Sequence, residues 1–308
     1  MIFFSESLQN KRSRNEDSIC HMDLQLDHES AVRAFVVADG MGGLSEGHQF
    51  SRKALNLWYE ELLKLMMSED FRGCSLKAQI EVLEEFCAEV FHGINRKLYK
   101  MGMDLGIKGG TTLSAAVFFW DSWIISNCGD SPVYVLKDGK PELASDIQNL
   151  AWKYVKEGRT EVGSSLFLQN KNRLTEFLGR RQDIHPHCVV FDAREVDGIL
   201  MGSDGAFGNL PPVQMEKILR SEDPARTLPR LLEAAREGGE KDNQTAFLIL
   251  PRRKQSEDSD RVVSLSEEVN DFEETDGEDF SETRYRRMEE ESIGKRLLNL
   301  LTGRGDRR

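Results

Sequence analysis

The chain has 308 residues, 39% of them hydrophobic, and a formal net charge of −12. That is enough for one large domain or two small ones, and the acidic balance argues against a general nucleic-acid binder, which needs a basic face. The opening run Ile2–Phe3–Phe4 gives way at once to polar residues, so it reads as neither a signal peptide nor a transmembrane segment, and the five cysteines lack any CxxC spacing, as expected of free thiols in a cytoplasmic protein.

In chain order, a possible strand in RNEDSICHM is followed by the apolar run AVRAFVVAD (31–39). The motif Asp39-Gly40-Met41-Gly42-Gly43 comes next. Helical spacing then places Leu55, Trp58, Leu62 and Leu65 on one face of a helix over 51–67, and Ile80, Leu83, Phe86, Val90, Ile94 and Leu98 on one face of a second over 75–102. The runs TLSAAVFFW (112–120) and SWIISNCGD (122–130), with only Asp121 between them, predict a hairpin. PVYVL (132–136) leads into the turn signal LKDG, which predicts another. Further helices are predicted near 146–157, 212–220 and 225–238, and further strands at 187–192, 197–204 and 244–251. Strands and helices occur in segregated blocks, which predicts an α+β fold with antiparallel sheets.

After Pro251 the composition changes. Residues 255–282 carry twelve acids and one base, and 283–308 carry eight bases and four acids. The expected organisation is a folded domain over 1–251, an acidic disordered linker over 252–282 and a basic amphipathic tail over 283–308. Within the tail, Ile293, Leu297, Leu300 and Leu301 share a helical face. The stretch 292–301 reads either as a helix for a partner or an anionic surface, or as a solvated tail.

The chemistry-bearing feature is where the acids fall. Asp39, Asp130 and Asp204 each end an apparent strand beside a glycine, Asp242 precedes a strand, and Glu16 and Asp17 sit at the start of one. A lone Asp-Gly is an ordinary turn. Several carboxylates converging at strand ends repel one another, and divalent cations offset that repulsion. All-oxygen donors with no Cys–His cluster favour Mg²⁺ or Mn²⁺ over Zn²⁺. Arg12 reads either as a clamp for a phosphate dianion or as an exposed member of the basic run NKRSR.

The blocks RSRNED (12–17), VVADGMGG (36–43), GGTTLSAAV (109–117), NCGDSPVYVLKDG (127–139), NRLTEFLG (172–179), LMGSDGAFGNL (200–210) and KDNQTAFLI (241–249) occur in that order. They resemble the PP2C (PPM) family of metal-dependent protein serine/threonine phosphatases, and the Met41 form of the glycine motif is typical of bacterial members. The resemblance implies a four-layer α-β-β-α sandwich of two antiparallel sheets flanked by helices. It implies that Asp39 bridges two Mn²⁺ or Mg²⁺ ions, with the Gly40 carbonyl on the second and Asp204 and Asp242 completing the first. Glu16 or Asp17 would approach the second ion, Asp130 would hold a third, weaker one, and Arg12 would bind the substrate phosphate. The implied reaction is hydrolysis of phosphoserine or phosphothreonine by a metal-activated water.

The chain departs from the family pattern at Pro132, Gln148 and Glu176, which bears on substrate recognition more than on catalysis. A different reading is an inactive regulatory scaffold acting through its tail, but such a protein is expected to have lost one of Asp39, Asp204 or Asp242, and all three are present. The expected partners are phosphorylated proteins, substrates of a Ser/Thr kinase, for a monomer that binds no nucleic acid.

Overall fold

A computed structural model describes residues 1–27, 30–42 and 46–251 of the chain. The predicted acidic linker (252–282), the basic tail (283–308) with its 292–301 stretch, and Gly43 lie outside the described residues.

Two five-stranded antiparallel sheets form the centre. The first contains β1 (Ile2–Leu8), β8 (Val133–Lys137), β9 (Lys140–Leu143), β11 (Gly198–Gly202) and β12 (Gln244–Leu250), in the order β1-β12-β11-β8-β9. The second contains β2 (Ser18–Gln25), β3 (Ala31–Ala38), β6 (Leu113–Phe119), β7 (Ser122–Cys128) and β10 (His187–Asp192), in the order β10-β7-β6-β3-β2. A two-stranded ribbon joins β4 (Gly40–Gly42) to β5 (Gly109–Thr111).

Alternation of side chains across each strand gives both sheets two apolar faces, and the core is correspondingly divided in three. Phe35, Val37, Ile125, Val135, Met201 and Phe247 fill the space between the sheets. Against the outer face of the second sheet pack α1 (Gly47–Met67), the short α2 (Glu69–Arg72) and α3 (Leu76–Leu105), with Trp58, Leu62, Phe86 and Phe91 buried. The outer face of the first sheet is covered by α6 (Asp204–Phe207), α7 (Pro212–Ser221) and α8 (Pro224–Glu237), through Phe207, Met215, Leu228 and Leu231. The expected four-layer α-β-β-α sandwich is therefore the architecture, with α4 (Leu150–Lys156) and α5 (Ser165–Asn170) added after β9.

Several boundaries differ from the sequence reading for identifiable reasons. The β6–β7 hairpin pairs Phe119 with Ser122, so its loop is Trp120–Asp121, and Trp120 takes the left-handed conformation (φ 52°) that a two-residue hairpin turn requires. Asp204 does not end a strand: β11 stops at Gly202 and Asp204 is the first residue of α6. Helix α1 begins at Gly47, four residues before the predicted start, because its first turn is capped from elsewhere in the chain.

Candidate metal centre

The site is built where β3, β7, β11 and β12 finish or begin near one end of the sandwich. Asp39 follows β3, and its backbone is fixed on both sides. Its N–H donates to Thr112 Oγ1 at 3.0 Å, while its carbonyl accepts from Thr112 N–H and from Thr111 Oγ1, both at 2.9 Å. Gly40 then runs so close to the start of α1 that a Cβ on it would stand 2.4 Å from the Gly47 carbonyl oxygen and 2.6 Å from that of Glu16. Only glycine fits there, and the contact sets where the Asp39 carboxylate is presented.

Asp130 is buried two residues past β7, and Asn149 Nδ2 donates to its Oδ2 at 3.2 Å. Before it, Gly129 holds φ 116°, and a Cβ there would meet the Thr112 side chain at 2.6 Å. Gln148 braces this turn: its Oε1 accepts from Gly129 N–H at 2.8 Å and its Nε2 donates to the His185 carbonyl at 2.7 Å. Asp17 opens the entry to β2, and Ser203 Oγ donates to its Oδ2 at 2.8 Å. Asp242 lies two residues before β12 and forms an ion pair with Arg12.

The electrostatics tie these acids together. Burial, then the charges of Asp17, Asp204, Asp130 and Asp242, push Asp39 well above the usual carboxylate range. Burial raises Asp204, with Asp242 adding repulsion. Asp17 is pushed up to about 7 by burial and by Asp204 and Asp242, although the Thr245 and Ser203 hydroxyls oppose the shift. Asp130 is pushed up to about 8 by burial and then by Asp204. The cation facing this group is Arg12, whose pKa is raised chiefly by its hydrogen bond to Asp242 and further by the charges of Asp39 and Asp204. A buried carboxylate left without a counter-charge is costly. Among the described residues no group of three or more acids, imidazoles or thiols is spaced to hold a metal ion as it stands. In its donor chemistry, hard carboxylate oxygens, the set suits a divalent cation.

Five expected residues, Asp17, Asp39, Asp130, Asp204 and Asp242, are thus electrostatically joined, with Arg12 at their edge. Glu16 is engaged differently: its Oε1 accepts from Gly47 N–H at 2.9 Å, at the first turn of α1. Of the three departures, Gln148 holds Gly129. Pro132 gives its carbonyl to Gly202 N–H at 3.1 Å, and Glu176 pairs with Arg180 and His185.

Supporting residues that the sequence reading did not single out are Thr112, Asn149, Ser203 and Asn243. Asn243 accepts from Glu16 N–H at 2.9 Å and donates to the Gln9 and Arg14 carbonyls, fastening the 9–16 loop to β12. Their signal was available, since all but Asn149 lie inside the quoted blocks. The five cysteines are free, and burial pushes the Cys87 and Cys128 thiols up, away from nucleophilic use.

No family model matches the chain. It is 27% identical over 221 residues to the serine/threonine phosphatase stp of Listeria innocua, an alignment that takes in 70% of this chain and 82% of that protein. Its fold is that of the Streptococcus agalactiae serine/threonine phosphatase (TM-score 0.69, 22% identity, 82% of this chain and 100% of that one). It is also that of the catalytic domain of the serine threonine protein phosphatase PstP, solved in complex with two manganese ions (TM-score 0.60, 24% identity, 81% and 97% covered). The fold is that of solved bacterial serine/threonine phosphatases, and the sequence is similar to a streptococcal protein named a putative protein phosphatase 2C-type. Sequence relationship and fold together identify the chain as a relative of the bacterial PP2C-type phosphatases.

Proposed function

We propose that the chain is a metal-dependent phosphoprotein phosphatase acting on phosphoserine and phosphothreonine. The observation that carries this reading is the electrostatic coupling of the buried Asp17, Asp39, Asp130 and Asp204 to one another, to Asp242 and to Arg12, on a fold shared with solved serine/threonine phosphatases. Asp39, Asp204 and Asp242, with the Gly40 carbonyl and Asp17, would hold two Mn²⁺ or Mg²⁺ ions, and Asp130 a third. Such ions, when bound, supply Lewis acidity and lower the pKa of a bound water.

The remaining roles belong to the protein. Thr111 and Thr112 hold Asp39 in place through its backbone, and Ser203 orients the Asp17 carboxylate. Arg12, more than half exposed, can turn from Asp242 to donate to a phosphate dianion and neutralise charge on the phosphoryl group. No cysteine nucleophile is needed, in keeping with five thiols whose pKa burial raises.

The test is hydrolysis of para-nitrophenyl phosphate and of a phosphothreonine peptide with Mn²⁺ or Mg²⁺. Activity is expected with either ion and is expected to vanish in EDTA; undiminished turnover in EDTA would overturn the metal mechanism. The same reading places the substrates among the products of a Ser/Thr kinase in the cytoplasm, and among the described residues no helix is long and apolar enough to cross a membrane. It takes 1–251 as the catalytic unit, since the last strand among the described residues ends at Leu250. A chain cut after Pro251 is expected to keep its rate on the small substrate within a few-fold.

A further inference from the structure

A groove of about 540 Å³, within the size range of ligand clefts, is lined in part by the residues that follow Asp39 and Gly40 in the chain. Its floor is apolar: Met41, Phe50, Tyr99, Met103, Ile107 and Phe177. Its polar lining includes Lys108, Arg180 and Arg181 and not one carboxylate, in a chain whose net charge is −12. Lys108 and Arg181 are exposed, and neither has an ion-pair partner among the described residues; Arg180 is paired with Glu176. Met103 is 65% exposed although it closes a largely apolar wall.

The groove is continuous with the candidate metal centre through one short piece of backbone. Met41 and Gly42 line it, and they belong to β4, the strand that follows Asp39 directly. At about 3.3 Å per strand residue, Met41 is roughly 7 Å along the chain from Asp39, which is the reach of about two residues of extended peptide. A phosphorylated side chain at the carboxylate group would therefore have its flanking residues within reach of this groove.

We propose that the groove binds the segment of a phosphoprotein substrate next to the phosphorylated residue. One apolar side chain sits on the methionine-rich floor, and acidic residues meet Lys108 and Arg181 at the rim. This rests on the phosphatase reading above and adds to it a substrate preference. The unbranched Met41 and Met103 side chains adapt to apolar groups of different shape, so the floor selects for apolar character and the rim for charge.

The experiment compares two phosphothreonine peptides that differ only in their flanks, one carrying Leu and Glu and the other Ala and Lys. Hydrolysis is followed with Mn²⁺, and binding of the fluorescein-labelled peptides by anisotropy in EDTA. The wild type is expected to favour the Leu/Glu peptide, mainly through KM. The double variant Lys108→Glu/Arg181→Glu is expected to lose about fivefold or more in kcat/KM for that peptide, a size typical of two rim charge pairs. It should gain on the Ala/Lys peptide and hold its rate on para-nitrophenyl phosphate. Met103→Asp, at an exposed position, is expected to weaken the same peptide through the apolar contact.

Retention of the wild-type preference by the double variant would overturn the proposal. If no substrate is hydrolysed but anisotropy still follows the charge reversal, the groove stands as a peptide site and the phosphatase reading falls. If anisotropy ignores the reversal, the groove falls whatever the hydrolysis shows.

Discussion

The Glu16 carboxylate accepts the N–H of Gly47 at 2.9 Å, so the first turn of α1 is capped by a residue 31 positions earlier. The residue at the local cap position, Glu46, makes no side-chain cap bond. A carboxylate at a helix N-terminus satisfies an orphan donor and meets the positive end of the helix dipole. Glu16→Ala is therefore expected to cost about 1–2 kcal/mol of stability, with a small effect on metal affinity. Asp17→Asn is expected to do the reverse: Ser203 can still donate to the amide oxygen, but a carboxylate leaves the cluster, weakening Mn²⁺ affinity about tenfold or more. Chemical denaturation and Mn²⁺ titration of the two variants separate the roles. Equal metal affinities would remove Asp17 from the metal centre.

The pH dependence of the metal-free protein follows from the same cluster. Asp17 and Asp130 are raised from 3.8 to about 7 and about 8 in the fold. Between the ordinary and the raised values the folded state binds more protons than the unfolded chain, so stability falls as pH rises. In EDTA the melting temperature is expected to drop between pH 5 and pH 8.5, and Asp130→Asn should flatten that drop. Added Mn²⁺ should reverse it at the alkaline end by binding the ionised, folded form. A melting temperature that climbs with pH in EDTA, equally in wild type and Asp130→Asn, would contradict the assignment. Asp204→Asn is expected to lower turnover by about a hundredfold or more while leaving the metal-free protein at least as stable, since it removes one of the repelling charges.

Gly40 and Gly47 are packed backbone to backbone. A Cβ on Gly40 would stand 2.4 Å from the Gly47 carbonyl oxygen, and one on Gly47 would stand 2.6 Å from the Gly40 carbonyl carbon. Neither clash can be relieved by rotating a side chain. Gly40→Ala is expected to cost about 3 kcal/mol or more, at the upper end of overpacking costs, and to displace Asp39 with the strand. Urea denaturation measures the first effect and the Mn²⁺ requirement the second. A Gly40→Ala protein with wild-type stability would show that β4 and α1 can separate.

The parts of the fold legible in the sequence are those whose signal is local. β3, β6 and β7 are almost wholly buried, so their apolar runs stand out, and Asp138–Gly139 marks the turn between β8 and β9. β1 gives no strand signal in the sequence because its burial is partial and its partner is β12, at the far end of the described chain. The start of α1 has no local signal, because its cap, Glu16, is tertiary.

The site divides in the same way. The acids were legible because each sits beside a glycine or at a strand end. The groups that fix them were not, because Thr112 reaches Asp39 across 73 positions and Ser203 reaches Asp17 across 186. Glu16 and Asp17, adjacent in sequence, were indistinguishable until the fold sent one to a helix terminus and the other into the cluster.

Gln148 gives the last prediction. It stands at a departure from the pattern of the resembled family, yet it is nearly inaccessible and fully used. Its side chain joins Gly129 N–H to the His185 carbonyl, its own N–H donates to the Gly129 carbonyl at 3.1 Å, and its carbonyl accepts from Thr175 N–H at 2.9 Å. The turn it holds leads directly into Asp130, which the next residue, Asn149, also contacts. Truncation to Ala or Ser leaves the buried Gly129 N–H and the part-buried His185 carbonyl without this partner, since neither side chain spans the gap. Gln148→Ser is expected to cost about 1–3 kcal/mol and to loosen Asp130 more than Asp39, whose clamps are Thr111 and Thr112. The variant should therefore need more Mn²⁺ for full activity while keeping its tightest-bound metal, which a Mn²⁺ titration by calorimetry alongside turnover resolves. An unchanged titration together with the stability loss would confine Gln148 to a structural role.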